Sequence, residues 1–87
     1  MHAVVVNVTI NNPQAAEHAL HEQLVPRVSQ LPGFVTGYWT LKDNSALTML
    51  IFETQHAANS MSQHAEATAP PAMTFQAVEV REVVAHA

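Results

Sequence analysis

The sequence predicts an α+β, ferredoxin-like βαββαβ sandwich: an antiparallel four-stranded sheet with two helices on one face, formed by a single domain over residues 1–87. Three observations carry this. The periodic segments follow the order β-α-β-β-α-β, the split βαβ pattern. The cluster Lys42-Asp43-Asn44-Ser45 separates two strand-like runs, Phe34 to Leu41 and Ala46 to Phe52, and so reads as the turn of a β-hairpin, a type I turn followed by a left-handed residue. Right-handed crossovers then insert strand three between strands one and two and set strand four beside strand one, which leaves the second sheet face open.

The first strand is expected at residues 3–10, AVVVNVTI. Its β-branched side chains suit a pleated surface, and they divide into an unbroken apolar row, Val4, Val6, Val8 and Ile10, and a mixed row, Ala3, Val5, Asn7 and Thr9. The apolar row is expected under the helices. Asn12-Pro13 is a helix start, with Asn as N-cap and Pro where its missing N–H costs nothing. Helix one is expected to reach Gln30, with Ala16, Leu20, Leu24, Val28 and Leu31 as its apolar stripe. Pro26 falls inside that stripe and must kink or restart the helix, because its ring clashes with the carbonyl of Glu22. Pro32-Gly33 ends the helix.

The hairpin follows. Its second strand shows Leu47, Met49 and Ile51 on one side and Ala46, Thr48, Leu50 and Phe52 on the other, so neither side is polar. A sheet with one face in water would alternate more cleanly, and this pattern points to a ligand or a second subunit over the bare face. Thr54 can cap a second helix over residues 55–65, whose stripe is Ala58, Met61, Ser62 and Ala65. Residues 66–73, EATAPPAM, read as a loop because two consecutive prolines cannot continue a helix. The last strand is expected at residues 74–85, with Val78, Val80 and Val84 on one row and Phe75, Ala77, Glu79, Arg81 and Val83 on the other.

Composition narrows the function. Apolar residues make up 48% of the chain, which argues against disorder, and charged residues only 11%, against about 25% in an average domain. A domain of this size buries roughly 60 to 65% of its unfolded surface, so a homodimer would add needed stability. Only Arg27, Lys42 and Arg81 are basic against seven acidic residues. No electropositive stripe exists for phosphates, which disfavours nucleic acid and membrane as partners. Cysteine is absent, removing thiolate and Cys-based metal chemistry. No secretory leader and no spanning apolar run is recognisable, so a cytoplasmic, soluble protein is expected.

The β-branched first strand, the long helix ending in Leu31-Pro32-Gly33-Phe34, the hairpin, and the strand end Ile51-Phe52-Glu53-Thr54 before an Ala-rich helix together resemble the antibiotic-biosynthesis-monooxygenase-like proteins. The likeness covers nearly the whole chain, and its Pro-Gly-Phe corner marks a fold rather than a reaction. It implies a dimeric α/β barrel in which two subunits pair through their open sheets, each with a cavity. It also implies cofactor-independent oxygenation of a small apolar aromatic, quinone- or polyketide-like molecule. In the haem-degrading branch an Asn in strand one, a Trp where strand three meets helix two and a His on that helix act together. Asn7 fits, but Phe52 stands where the Trp is expected and His64 lies late on the helix, so haem degradation is disfavoured and no cofactor is expected.

Asn7, Arg81 and Glu79 are expected to share the open face, since strands one and four should be neighbours. An amide and a guanidinium there could orient a carbonyl or phenolate, while an Arg81–Glu79 ion pair is the plainer alternative. Adjacent Tyr38 and Trp39 must point to opposite faces. Trp39, in line with Val35, Gly37 and Leu41, is assigned to the helix side, and Tyr38, in line with Phe34, Thr36 and Thr40, to the pocket. The candidate catalytic set is therefore Asn7, Tyr38, Arg81 and, as a base, His64, because histidine moves protons near neutral pH. Thr9, Thr36, Trp39, Met49, Phe52 and Glu79 are candidate substrate contacts. His18, His21 and Glu22 could form a surface chelate but are expected to be solvated, and no metal is assigned. A non-catalytic small-molecule-binding or interaction dimer is the competing reading.

Overall fold

The structure, a computed structural model, describes residues 1–67 and 73–87. Strands β1 (His2–Ile10), β2 (Phe34–Lys42), β3 (Ser45–Phe52) and β4 (Met73–Glu82) form one sheet in the order β2-β3-β1-β4, with every neighbouring pair antiparallel. The topology is the one the crossovers predict. β1 is central because it is apolar on its helix-facing row and tolerates strands on both edges.

Helix one begins as Asn12 and Pro13 dictate. The Asn12 side chain accepts a hydrogen bond from the Ala15 N–H at 3.1 Å, and Pro13 opens α1 (Pro13–Ala19). The chain then widens into a π-helical turn, Leu20–Leu24, before α2 (Val25–Ser29). Pro26 is the cause: it has no N–H to give to the carbonyl of Glu22, and the wider turn, in which the Val25 N–H donates to the Leu20 carbonyl, carries the helix past its ring. The helix therefore restarts at Val25, with Pro26 in its first turn. Gly33 takes a φ of 78°, and its carbonyl accepts from the Glu53 N–H at 2.8 Å, joining the helix exit to the end of β3. The third helix, α3 (Gln55–Ala67), is capped by the Thr54 hydroxyl, which accepts from the Ala57 N–H at 3.1 Å.

One core lies between the helices and the sheet. Val4, Val6, Val8 and Ile10 of β1 and Leu50 and Phe52 of β3 meet Ala16, Val28, Ala58, Met61 and Ala65 of the helices. Phe34 packs edge-on against Phe52 with ring centroids 5.8 Å apart.

Local features differ from the sequence reading, each for a backbone reason. The hairpin closes with two residues, Asp43 and Asn44, and the left-handed residue is Asp43 with φ of 55°, the first of the two rather than a residue following a type I turn. A β-bulge between Phe34 and Thr36 puts Phe34 on the helix side, away from the Thr36–Tyr38–Thr40 row, and leaves Val35 exposed rather than in line with Trp39. A second bulge, opposite Asn7 and Val8, absorbs Gln76 and turns Phe75 from the open face into the core. One extra residue reverses the facing of everything beyond it. β4 starts at Met73 and ends at Glu82, so Val84 is not in the apolar row but 88% exposed. Glu66 and Ala67, expected in a loop, belong to α3, and the rest of that expected loop, residues 68–72, lies outside the described residues.

Phe52 is fully buried. Phe52→Ala should cost about 3 to 5 kcal/mol by denaturant unfolding, and Phe34→Ala less, because its ring is only partly buried. Equal costs would contradict this packing.

Candidate functional site

The open face is a grid fixed by register. One row across the strands is Thr40, Leu47, Asn7 and Ala77; the next is Tyr38, Met49, Val5 and Glu79; the third is Thr36, Ile51, Ala3 and Arg81. Asn7 and Arg81 therefore lie four residues apart along the sheet, roughly 13 Å at ~3.3 Å per residue. Tyr38 and Glu79 are three strand spacings apart, roughly 14 Å. Arg81 is engaged by Glu79, its Nη2 donating to Oε2 at 2.6 Å and its Nε at 2.9 Å, in a solvent-exposed pair. The ion pair forms, and Asn7 and Tyr38 stand apart from it. Thr9 accepts a hydrogen bond from Gln76 Nε2 at 3.0 Å at the far end of the face. Leu47 and Met49 are exposed, and Tyr38 is 64% exposed.

The sizeable cavity among the described residues is on the opposite side of the sheet, between the helices and the strands. Its volume is about 410 Å³, within the roughly 300 to 1,000 Å³ of small-molecule sites. Val6, Val8, Ile10 and Leu50 form its floor, Ala16, Leu20, Leu24 and Val28 its roof, and Met61, Ala65 and Phe75 its inner end. The cavity exists because a roof of alanine and leucine spans a sheet without large residues at Ala46 and Thr48. Thr48 is a buried polar side chain in its wall. The sequence reading puts the pocket over the open face; this space is under the helices.

Of the candidate residues, Trp39 lines the cavity, in the helix-facing row beside Thr48. Gly37 makes room for it: a Cβ there would meet the indole at 3.2 Å and Leu50 Cδ2 at 2.9 Å. Phe52 is core, beneath Phe34, and is not in the cavity wall. Met49, Thr36 and Glu79 belong to the open face. His64 is exposed on α3 and borders a separate recess of about 30 Å³ with Arg27, Leu31 and Phe75.

The mouth is formed by residues outside the candidate set, His21 among them, which was expected only as a solvated side chain. Gln14, Glu17 and His21 are exposed and line the cavity, across from Leu41 and Ala46 at the hairpin end. Glu17 and His21 are i, i+4 neighbours beside Ala16 and Leu20, one step round the helix. His21 is exposed, as expected, and its place on the flank of the apolar stripe also puts it at the cavity mouth. His18, His56 and His86 are exposed, and His2 in β1 has a buried Nδ1 with no partner among the described residues. No group of three His, Asp or Glu side chains that could hold a metal occurs among the described residues. No helix among them is long and apolar enough to cross a membrane.

The chain matches no protein-family model and no curated protein.

Gly37→Ala should destabilise by about 1 to 3 kcal/mol and shift the emission of Trp39, the one tryptophan, because the added methyl displaces the indole. Unchanged emission and stability would show that the ring does not depend on that space.

Proposed function

We propose that this protein binds a small apolar aromatic molecule in the cavity between its helices and its sheet. The observation that carries the reading is the cavity itself: about 410 Å³, walled mainly by aliphatic side chains and Trp39, with Thr40, Thr48 and the mouth residues Gln14, Glu17 and His21 as its polar lining. A ligand seated there replaces water against apolar walls, worth about 25 cal/mol per Å² of buried apolar surface before the costs of association. The resemblance to antibiotic-biosynthesis-monooxygenase-like proteins makes the ligand quinone- or polyketide-like and the reaction a cofactor-independent oxygenation. The dispersal of Asn7, Tyr38 and Arg81 over the open face supports the non-catalytic alternative, binding without chemistry, because catalysis needs polar groups convergent on the bound molecule. In either case the open face, with Tyr38, Leu47, Met49 and Ile51, is the surface through which two chains would join as a dimeric α/β barrel.

Ala46 offers a direct test, since it lines the cavity opposite Leu41 and a phenyl group there would occupy the space. Ala46→Phe should weaken the calorimetric affinity for 2-methylnaphthalene by at least about tenfold without lowering Tm. Full affinity in the variant would place the ligand elsewhere. Oxygen uptake with a naphthohydroquinone, above the spontaneous rate and abolished by the same substitution, decides for the enzyme; binding without uptake decides for the carrier. Met49→Glu should convert the dimer to monomer in light scattering, and an unaltered mass would remove the open face from the interface.

A further inference from the structure

We propose that the cavity mouth is a charge filter, in which Gln14, Glu17 and His21 admit apolar molecules whose polar end donates hydrogen bonds and exclude those ending in an anion. The inference rests on the reading of the cavity as a binding site and names the class of molecule it takes. The inner walls give a polar end little to bond to, so a ligand with one must hold it at the mouth. There the Glu17 carboxylate accepts only, while His21 and Gln14 each present both an acceptor atom and an N–H donor, so Glu17 is the group that tells a donor from an anion.

The positive charges that would receive an anion are elsewhere. Arg81 is paired with Glu79 on the open face, Lys42 lies in the open-face row opposite Ser45, and Arg27 borders the smaller recess behind the roof. Residues 68–72, TAPPA, carry no charge. A carboxylate drawn to the mouth would lose water and face Glu17 with no cation to offset it, so rejection follows from repulsion and desolvation together. A hydroxyl at the same place donates to Glu17 or His21 and meets neither cost.

The test is calorimetric titration near neutral pH with three compounds of one ring system: 2-naphthol, 2-naphthoate and 2-methylnaphthalene. The filter predicts that 2-naphthol binds at least about tenfold more tightly than 2-naphthoate. Glu17→Gln should close most of that gap by admitting the naphthoate; Glu17 is exposed, so folding is preserved. Naphthoate binding as tightly as naphthol in the native chain, or a gap that survives Glu17→Gln intact, would overturn the filter while the cavity reading stands. Failure of both 2-methylnaphthalene and 2-naphthol to bind would overturn the cavity as a binding site, and the filter with it.

Discussion

The apolar row of β1 is the constraint on which the rest depends. Val4, Val6, Val8 and Ile10 form the middle of the sheet's covered face, and every other core element is placed by its need to reach them: Leu50 and Phe52 from β3, Val78 and Val80 from β4, Ala16 and Val28 from helix one, Ala58, Met61 and Ala65 from α3. Burial of such side chains is worth roughly 1.5 to 3 kcal/mol each, so the strand cannot slip by one residue without exposing the whole set. That fixed register also sets the spacing of the open-face rows.

The same row explains the cavity. At the Val4 end, Phe52 and Ala58 close on the sheet and leave no exposure. Toward Val8 and Ile10 the helices present Ala16 and Ala65 and the sheet itself presents Ala46, while Leu20 and Leu24 stay partly exposed. Small residues on both layers keep them from meeting. The π-helical turn at Leu20–Leu24 lies over this region, and Pro26 is what holds the helix in that wider turn. A cavity lined this way sacrifices packing, which for a domain of this size is a sizeable fraction of its stability.

Much of the fold was legible because β1, the hairpin and the capped helix starts each carry strong local signals. Sheet order followed from connection rules, and the helix-side row of β1 from its alternation, whereas β3 is apolar on both rows and its alternation gave no side. The bulges were not legible: nothing in Phe34-Val35-Thr36 or Phe75-Gln76-Ala77 announces an extra residue, and each reversed an assignment beyond it. The site was less legible than the fold. Trp39 could be placed on the helix side by its apolar row, but alternation alone treats a covered face as filled, and a cavity arises from the volumes of residues on separate elements. His21 read as solvated because it flanks the stripe; the width of a helix face over a cavity is a tertiary property.

The most direct measurement is methyl and amide NMR shift mapping of the protein titrated with 2-methylnaphthalene. Shifts concentrated at Val6, Val8, Leu50, Met61 and the Trp39 indole, with Val5, Met49 and Ile51 unmoved, are what the helix-side site predicts. Shifts concentrated on Val5, Met49 and Tyr38 instead, or none at all, would contradict it.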